Sequence, residues 1–480
     1  MKMLFISLNQ ETGFRPVFPI GANIVANAVK QMGWETKLLD LCFSTKPLEE
    51  VTKEMVAFSP DFIGISIRNL DFQSYLEPVF HLPFIKRVVD TIKKCKESAV
   101  IILGGSGFTL APKEILRYLQ VPYGIYGPGE NALPMFLRCL IEKRDISNCD
   151  SLVWIDGNGN VRLSSRKSQV DNFFYFTKEQ RLGHYNMQYY IKEWKTEASP
   201  ITEICDAVEG KRGCTENCIY CTNSAIARTK LLMKNPVLIV DEIEDIIQIG
   251  LAKRYEFTEG AFNLPITHAK AVIKELKRRN IKFPWNCMFS PTGYEDDLVK
   301  GMAETGCDLV EMGIESGSDT ILHNLRKNFT FQKVIEAQKG LLANGIRIEH
   351  CIFIGSPGET EATVKESLER VGRLLDDKNV HVFINFGYRI FPGTELAQIA
   401  VEKNVINKDT NLAFPHYYIE QSVLYNDKLL DYIEDWTIAH KNSYLWWGIP
   451  RIHLKERVEQ VAIQHKQMQE IFVEMEKGLI

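Results

Sequence analysis

Gly210-Lys211-Arg212-Gly213-Cys214-Thr215-Glu216-Asn217-Cys218-Ile219-Tyr220-Cys221 is the stretch from which the rest of the chain can be read. Its cysteines have the spacing C-x3-C-x2-C, on a loop predicted to follow a strand. Three thiolates so spaced can ligate three irons of a cuboidal [4Fe–4S] cluster and leave the fourth iron open. Structural zinc needs a fourth Cys or His close by. After Cys221 the next such residues are His268 and Cys287, and Cys205 lies upstream on the predicted strand. A ferredoxin run needs its fourth Cys shortly after the third, and Thr222-Asn223-Ser224 does not supply it. The stretch therefore predicts an iron–sulfur cluster with one open coordination position.

Around this loop stand 480 residues, 45% hydrophobic and 25% charged, the balance of a globular protein with ample material for cores. Domains of about 150 residues suggest two or three of them. A formal net charge of −4 argues against a broad basic surface, so nucleic acid is not an expected partner. The opening Met1-Lys2-Met3-Leu4-Phe5-Ile6-Ser7-Leu8 ends in Asn9-Gln10-Glu11 and reads as a first strand, not as a secretion signal. No run has the roughly 18 apolar residues of a membrane span. Eleven cysteines, scattered from Cys42 to Cys351 without a framework spacing, predict a reducing, cytoplasmic setting.

Residues 1–150 alternate short apolar runs with helical periodicity, the pattern of an α/β fold with a doubly wound, Rossmann-like parallel sheet. Strands are predicted at 4–8, 36–40, 62–67, 100–103 and 123–126, with helices at 21–32, 48–58, 83–94 and 112–119. Ligands of such sheets sit at the carboxyl ends of the strands. Those ends carry Ser66, Arg68 and Asn69, then Gly104, Gly105, Ser106, Gly107, Phe108 and Thr109 before Pro112, then Gly127, Gly129 and Glu130. Residues 151–200 read as a connector, with a hairpin at 152–155 and 161–164 and an aromatic stretch at Phe173, Phe174, Tyr175, Phe176, Tyr185, Tyr189, Tyr190 and Trp194.

Residues 201–400 hold six strand–helix units, with strands near 201–208, 255–258, 285–289, 309–312, 346–354 and 380–388. Helices are predicted at 236–249, 268–279, 331–343 and 361–375. That count suggests a partial (β/α)6 barrel, whose active site lies at the carboxyl strand ends. After the cysteine loop, these ends present Glu259, Ser290, Glu315 with Ser316, Gly355 and Arg389. Residues 401–480 read as a helical cap, with helices at 427–441 and 454–476 around Tyr444, Trp446 and Trp447. Those aromatics can bury against the barrel or form a substrate platform.

The cysteine loop resembles the CxxxCx(aromatic)C signature of the radical S-adenosylmethionine (SAM) superfamily, with Tyr220 as the aromatic residue. The first domain looks like the cobalamin-binding domain that precedes many of these enzymes. Its GG-x-x-x-T-x-x-P pattern is met by Gly104, Gly105, Thr109 and Pro112, and its G-x-G-E by Gly127, Gly129 and Glu130. The resemblance implies three cofactors: a [4Fe–4S] cluster on Cys214, Cys218 and Cys221, SAM and cobalamin. It implies SAM contacts at Tyr220, Glu259, Ser290, Glu315, Ser316, Gly355 and Arg389, and cobalamin contacts at Ser66, Arg68, Asn69, Gly104–Thr109, Gly127, Gly129 and Glu130. The DxHxxG motif that supplies an imidazole to cobalt in mutases is absent. Arg68 is then either an ordinary ion-paired side chain or a guanidinium facing the lower side of the corrin, where it cannot become a ligand.

The function implied is a cobalamin-dependent radical SAM methyltransferase. It would methylate an unreactive carbon, or phosphorus, of a small molecule or peptide through methylcobalamin, with electrons from a flavodoxin- or ferredoxin-type donor. The alternatives are a cyclase or rearrangement enzyme that uses cobalamin without net methyl transfer, and a non-catalytic cobalamin or iron–sulfur sensor.

Overall fold

The computed structural model describes residues 1–11, 16–77, 79–165, 177–179, 181, 205–223, 231–445 and 453–476. The connector aromatics from Phe173 to Trp194, residues 201–204 of the first predicted barrel strand, and Trp446 and Trp447 lie outside the described residues. Backbone contacts divide the chain into two units: Met1–Phe72 with Val79–Lys192 and Asn411–Phe414, and Gln73–Pro78 with Glu193–Thr410 and Pro415–Ile480.

The first unit is built on a seven-stranded sheet of order β2-β1-β3-β4-β5-β6-β7. Its strands are β1 Lys2–Ser7, β2 Glu35–Asp40, β3 Phe62–Ser66, β4 Val100–Gly104, β5 Tyr123–Ile125, β6 Leu152–Ile155 and β7 Val161–Leu163. The first five pair in parallel. The hairpin expected in the connector adds the last two antiparallel to them. Helices Ile20–Lys30 and Gly129–Ile141 cover one face, where Ala22, Ala26, Val29, Leu133 and Phe136 pack on Phe5 and Ile102. Helices Pro47–Phe58, Leu82–Cys95 and Pro112–Leu119 follow the neighbouring crossovers. Because β1 lies between β2 and β3, the chain reverses its direction of travel across the sheet there, and a crevice opens at the carboxyl ends of β1 and β3.

The second unit carries a seven-stranded sheet in sequential order, all parallel. Its strands are β8 Cys205–Val208, β9 Arg254–Phe257, β10 Trp285–Met288, β11 Cys307–Glu315, β12 Arg347–Ile354, β13 Val380–Phe386 and β14 Ser443–Leu445. The last exceeds the six expected, and at three residues it is too short for an alternation signal. Tyr444, on this strand, stacks on Phe383 at 5.3 Å, which places it in packing within the unit.

Alternate residues of these strands, such as Tyr255, Phe257, Trp285, Ile348 and Val382, pack outward under the helices as one continuous core. Trp285 is fully buried there, its ring 5.1 Å from Phe262 and 5.4 Å from Phe257. No helix among the described residues is long and apolar enough to cross a membrane.

Trp285→Ala would leave a cavity under the barrel helices at a cost of about 3–5 kcal/mol. Urea unfolding of the variant should show the barrel transition at lower denaturant. An unchanged midpoint would contradict the packing described.

Candidate functional site

The cysteine loop starts at the carboxyl end of β8. Lys211–Arg212 pairs antiparallel with Leu232–Met233, and Lys234 donates its backbone N–H to Gly210 at 3.0 Å, which closes the base of the loop. Gly213 then takes φ +92°, a left-handed turn that favours glycine, and delivers Cys214. Ile219 is buried and gripped on both sides: its N–H donates to Leu325 O and its carbonyl accepts from Leu396 N.

Cys214, Cys218 and Cys221 are free and half-buried. Burial pushes the Cys218 thiol up to about 11 and also raises Cys221, and Cys221 lies near enough to both Cys218 and Cys214 to interact with each electrostatically. Among the described residues no group of three His, Cys, Asp or Glu side chains forms a ready-made metal arrangement. The fit to a cluster therefore rests on the donor set: three soft sulfurs on one anchored loop, which iron would hold as thiolates.

Beneath the loop lies a compact polar cluster. The Tyr220 hydroxyl donates to Glu315 Oε1 at 2.6 Å, and Lys327 Nζ donates to the same oxygen at 3.1 Å and to the Tyr220 hydroxyl at 3.2 Å. Glu315 ends β11 at φ +61°, after a register shift at Gly313 that turns its carboxylate under the loop. Its Oε2 is buried and has no partner. Burial alone would lower the pKa of Lys327, but Glu315 and Cys218 outweigh it and hold the ammonium charged. Burial, with Glu315 next, pushes the Tyr220 phenol well above its ordinary value. Tyr388 lies 5.2 Å from Tyr220 and 4.8 Å from Phe353, so an aromatic wall stands beside the cluster.

The other expected residues sit at their strand ends with much of their polarity already engaged. Glu259 Oε2 accepts from Gly210 N at 3.2 Å, and Oε1 lies 3.7 Å from Lys211 Nζ, so this carboxylate braces the base of the cysteine loop. Ser290 exchanges backbone bonds with the Asn263 amide at 2.7 and 2.9 Å. Ser316 is buried against Ser367. Gly355, at φ +103°, donates to Glu359 Oε2, whose carboxyl burial pushes up to about 7. Arg389 is buried, donates to Ile390 O and lies over the Phe391 ring. Lys327 carries no motif and escapes sequence reading; only the fold brings it to Glu315.

In the first unit, the loops after β3, β4 and β5 interlock. Gly105 has φ +103°, and a Cβ there would meet Ile67 O at 2.4 Å. Gly107 N donates to Ile67 O at 2.9 Å, and the Ser106 hydroxyl donates to Arg68 O at 2.7 Å. The Thr109 hydroxyl accepts from Gly127 N at 2.9 Å and donates to Gly105 O at 2.8 Å, which ties the two glycine loops together. Gly104 ends β4, Gly129 opens its helix and Glu130 is buried. Phe108 is fully buried beneath Gly124, supporting the loop from below.

Ser66 ends β3, half-buried. Beyond it Arg68 and Asn69 turn to Glu11, whose Oε2 accepts from Asn69 Nδ2 at 2.8 Å and Arg68 Nη1 at 3.3 Å. Glu11 Oε1 stands 2.8 Å from His81 Nε2. Burial works to raise the Glu11 carboxyl, but the bonds from His81 and Asn69 prevail and hold it below its ordinary value. Asn9, Gln10, Arg68, Asn69 and His81 line the crevice, and the Asn9 amide nitrogen is buried there without a partner. An orphaned donor and a row of polar side chains at the sheet's switch point offer hydrogen bonds to a polar cofactor lying across the strand ends. Sequence reading meets Glu11 only as the end of the first strand and gives His81 no role.

Two family models match the chain, the B12 binding domain over residues 14–137 and the Radical SAM superfamily over residues 208–371. It is 23% identical to tryptophan 2-C-methyltransferase of Streptomyces laurentii, over 81% of this chain and 73% of that protein. It is 22% identical to cytidylyl-2-hydroxyethylphosphonate methyltransferase of Streptomyces wedmorensis, over 83% and 80%. Its fold is similar to that of the radical SAM methyltransferase TsrM from Kitasatospora setae, solved with cobalamin and a [4Fe–4S] cluster bound. The TM-score is 0.77 at 18% identity, covering 97% of this chain and 99% of that one. With a B12 binding domain ahead of a Radical SAM domain, the chain belongs to the cobalamin-dependent radical SAM enzymes.

Proposed function

We propose that this enzyme is a methyltransferase that moves a methyl group from SAM to an unreactive carbon, or phosphorus, of a small-molecule or peptide substrate. The observation that carries the site assignment is the uncommitted Glu315 Oε2, buried directly beneath the three-cysteine loop. The names of the relatives, one a carbon and one a phosphonate methyltransferase by description, support the reaction class.

When bound, the cluster supplies the electron that cleaves SAM to a carbon radical, and cobalamin supplies the methyl carrier. The chain's own residues would do the rest. Cys214, Cys218 and Cys221 hold three irons, and Lys327 offsets the negative charge gathered by Glu315 and the thiolates. Glu315 Oε2 accepts from an N–H or O–H of SAM. Arg389 offers the guanidinium that can pair with its carboxylate, while Glu259, Ser290, Ser316 and Gly355 shape the strand ends around it. Tyr220, Phe353 and Tyr388 wall the site against water. In the first unit, cobalamin would be held by Ser66, Asn69 and the loops Gly104–Thr109 and Gly127–Glu130, with Arg68 offering a guanidinium at the crevice that cannot become a metal ligand. A flavodoxin- or ferredoxin-type protein would deliver the electrons.

The reading predicts that reduced, reconstituted enzyme given SAM and its substrate forms both 5'-deoxyadenosine and S-adenosylhomocysteine. Cys221→Ala should abolish the first product. Persistence of 5'-deoxyadenosine in that variant would refute the cluster assignment, and absence of S-adenosylhomocysteine from the wild type would refute methyl transfer.

Glu315→Gln removes the charge of a buried acceptor whose bonds to charged or strongly polar donors are worth about 1.5–3 kcal/mol. Equilibrium dialysis should show SAM affinity weakened by roughly tenfold or more, with iron content unchanged. Unaltered affinity would mean that Oε2 does not face SAM.

A further inference from the structure

A cleft of about 480 Å³ opens in the second unit beside the cysteine loop, with Asp319, His323, Lys327, Asn328, Phe329 and Lys333 in its lining. Two of these side chains also touch the loop. Asn328 Nδ2 donates to Glu216 Oε2 at 3.0 Å, and Lys327 Nζ donates to the Tyr220 hydroxyl at 3.2 Å. Glu216 stands between the first and second cysteines, and Tyr220 between the second and third. A single layer of side chains therefore separates the cleft from the loop that holds the cluster.

The charge of the lining is uneven. Lys327, Lys333 and His323 stand against one acid, Asp319. That carboxylate is already met by Arg370 Nη1 at 3.0 Å and accepts from Phe331 N at 2.7 Å. Lys327 is committed to Glu315. Lys333 lies over the Tyr294 ring at 5.5 Å and pairs with Glu336 at 3.3 Å, both side chains open to water, an arrangement that binds its ammonium weakly. His323 and Asn328 are exposed at the rim. The chain as a whole carries −4, so a locally basic cleft is a point at which a negatively charged protein is drawn in rather than repelled.

Resting on the reading that the cluster takes its electrons from a flavodoxin- or ferredoxin-type protein, we propose that this cleft is the docking surface for that donor. The partner it fits is an acidic one-electron carrier that sets its cofactor edge into the cleft against Phe329 and Asn328, with its carboxylates steered by Lys333 and His323. One electron leaves the reduced donor and enters the oxidised cluster across the Lys327 and Asn328 layer; no bond forms or breaks. A small reductant such as dithionite needs no such fit, and this difference makes the surface testable.

The test uses the full chain with its cluster reconstituted and an acidic flavodoxin as the probe. Calorimetric titration with oxidised flavodoxin, which transfers no electron, reads affinity; stopped-flow absorbance of the cluster reads reduction by flavodoxin hydroquinone and, separately, by dithionite. Wild-type affinity should fall as salt is added. Lys333→Glu should weaken it by about tenfold or more at low salt and raise the half-saturating flavodoxin concentration to match. His323→Trp, which narrows the cleft without adding charge, should weaken it as well. Both variants should keep their iron content and their rate with dithionite. Lys253→Glu, an exposed reversal just ahead of β9 at the opposite edge of the sheet, should behave as wild type.

Unchanged flavodoxin affinity in both Lys333→Glu and His323→Trp would overturn the proposal, as would a Lys253→Glu defect equal to that of Lys333→Glu. Failure of the underlying reading looks different: a wild-type cluster that dithionite reduces but that neither flavodoxin nor ferredoxin binds or reduces would remove the donor class, and the docking surface with it.

Discussion

Parallel pairing is the constraint on which the rest of this molecule depends. Five neighbouring strands of the first sheet and all seven of the second run the same way, so each must be reached by a crossover through a helix. The crossovers bury the apolar strand faces and bring every carboxyl end in a sheet to one edge. Helices and strand interiors then hold the fold by apolar burial, at about 25 cal/mol for each Å² removed from water. Loops at that edge are free to carry polar groups that the core could not accept. The glycine loops after β4 and β5 and the cysteine loop after β8 are all of this kind.

At that edge of each unit a buried or half-buried carboxylate fixes a cation. Glu315 holds Lys327 in the second unit, and Glu11 holds Arg68 in the first. Ion pairs of this kind add little net stability when both partners are present, and breaking a buried one typically costs about 3–5 kcal/mol. Their value here is placement. Lys327 stands where thiolates and Glu315 gather negative charge, and the backbone stays at φ +61° at Glu315 to keep the pair in register. Residues held in this region store strain that the surrounding structure must sustain, and such strain gathers at functional sites.

Much of the fold was legible because period and punctuation agree. The helices at Pro112–Leu119, Pro236–Ile249, Phe331–Ala343 and Leu454–Glu476 coincide with their predicted limits, three of them opening on proline or on an aromatic after a β-branched residue. The cysteine spacing was legible because ligand chemistry fixes it in sequence. Glu11, His81 and Lys327 were not, because each acquires its role through contacts across long stretches of chain: 70 residues from Glu11 to His81 and 107 from Tyr220 to Lys327. The strand Ser443–Leu445 was missed for a different reason, since three residues that merely complete a sheet edge leave no periodic trace.

The central claim is that one chain carries both a radical-generating cluster and a methyl-carrying cobalamin. The most direct measurement is anaerobic reconstitution with iron, sulfide and hydroxocobalamin, followed by desalting and a count of metals per chain. The account predicts about four irons and one cobalt retained together. Retention of the cluster with no cobalt would contradict it and remove methyl transfer through cobalamin from the reaction.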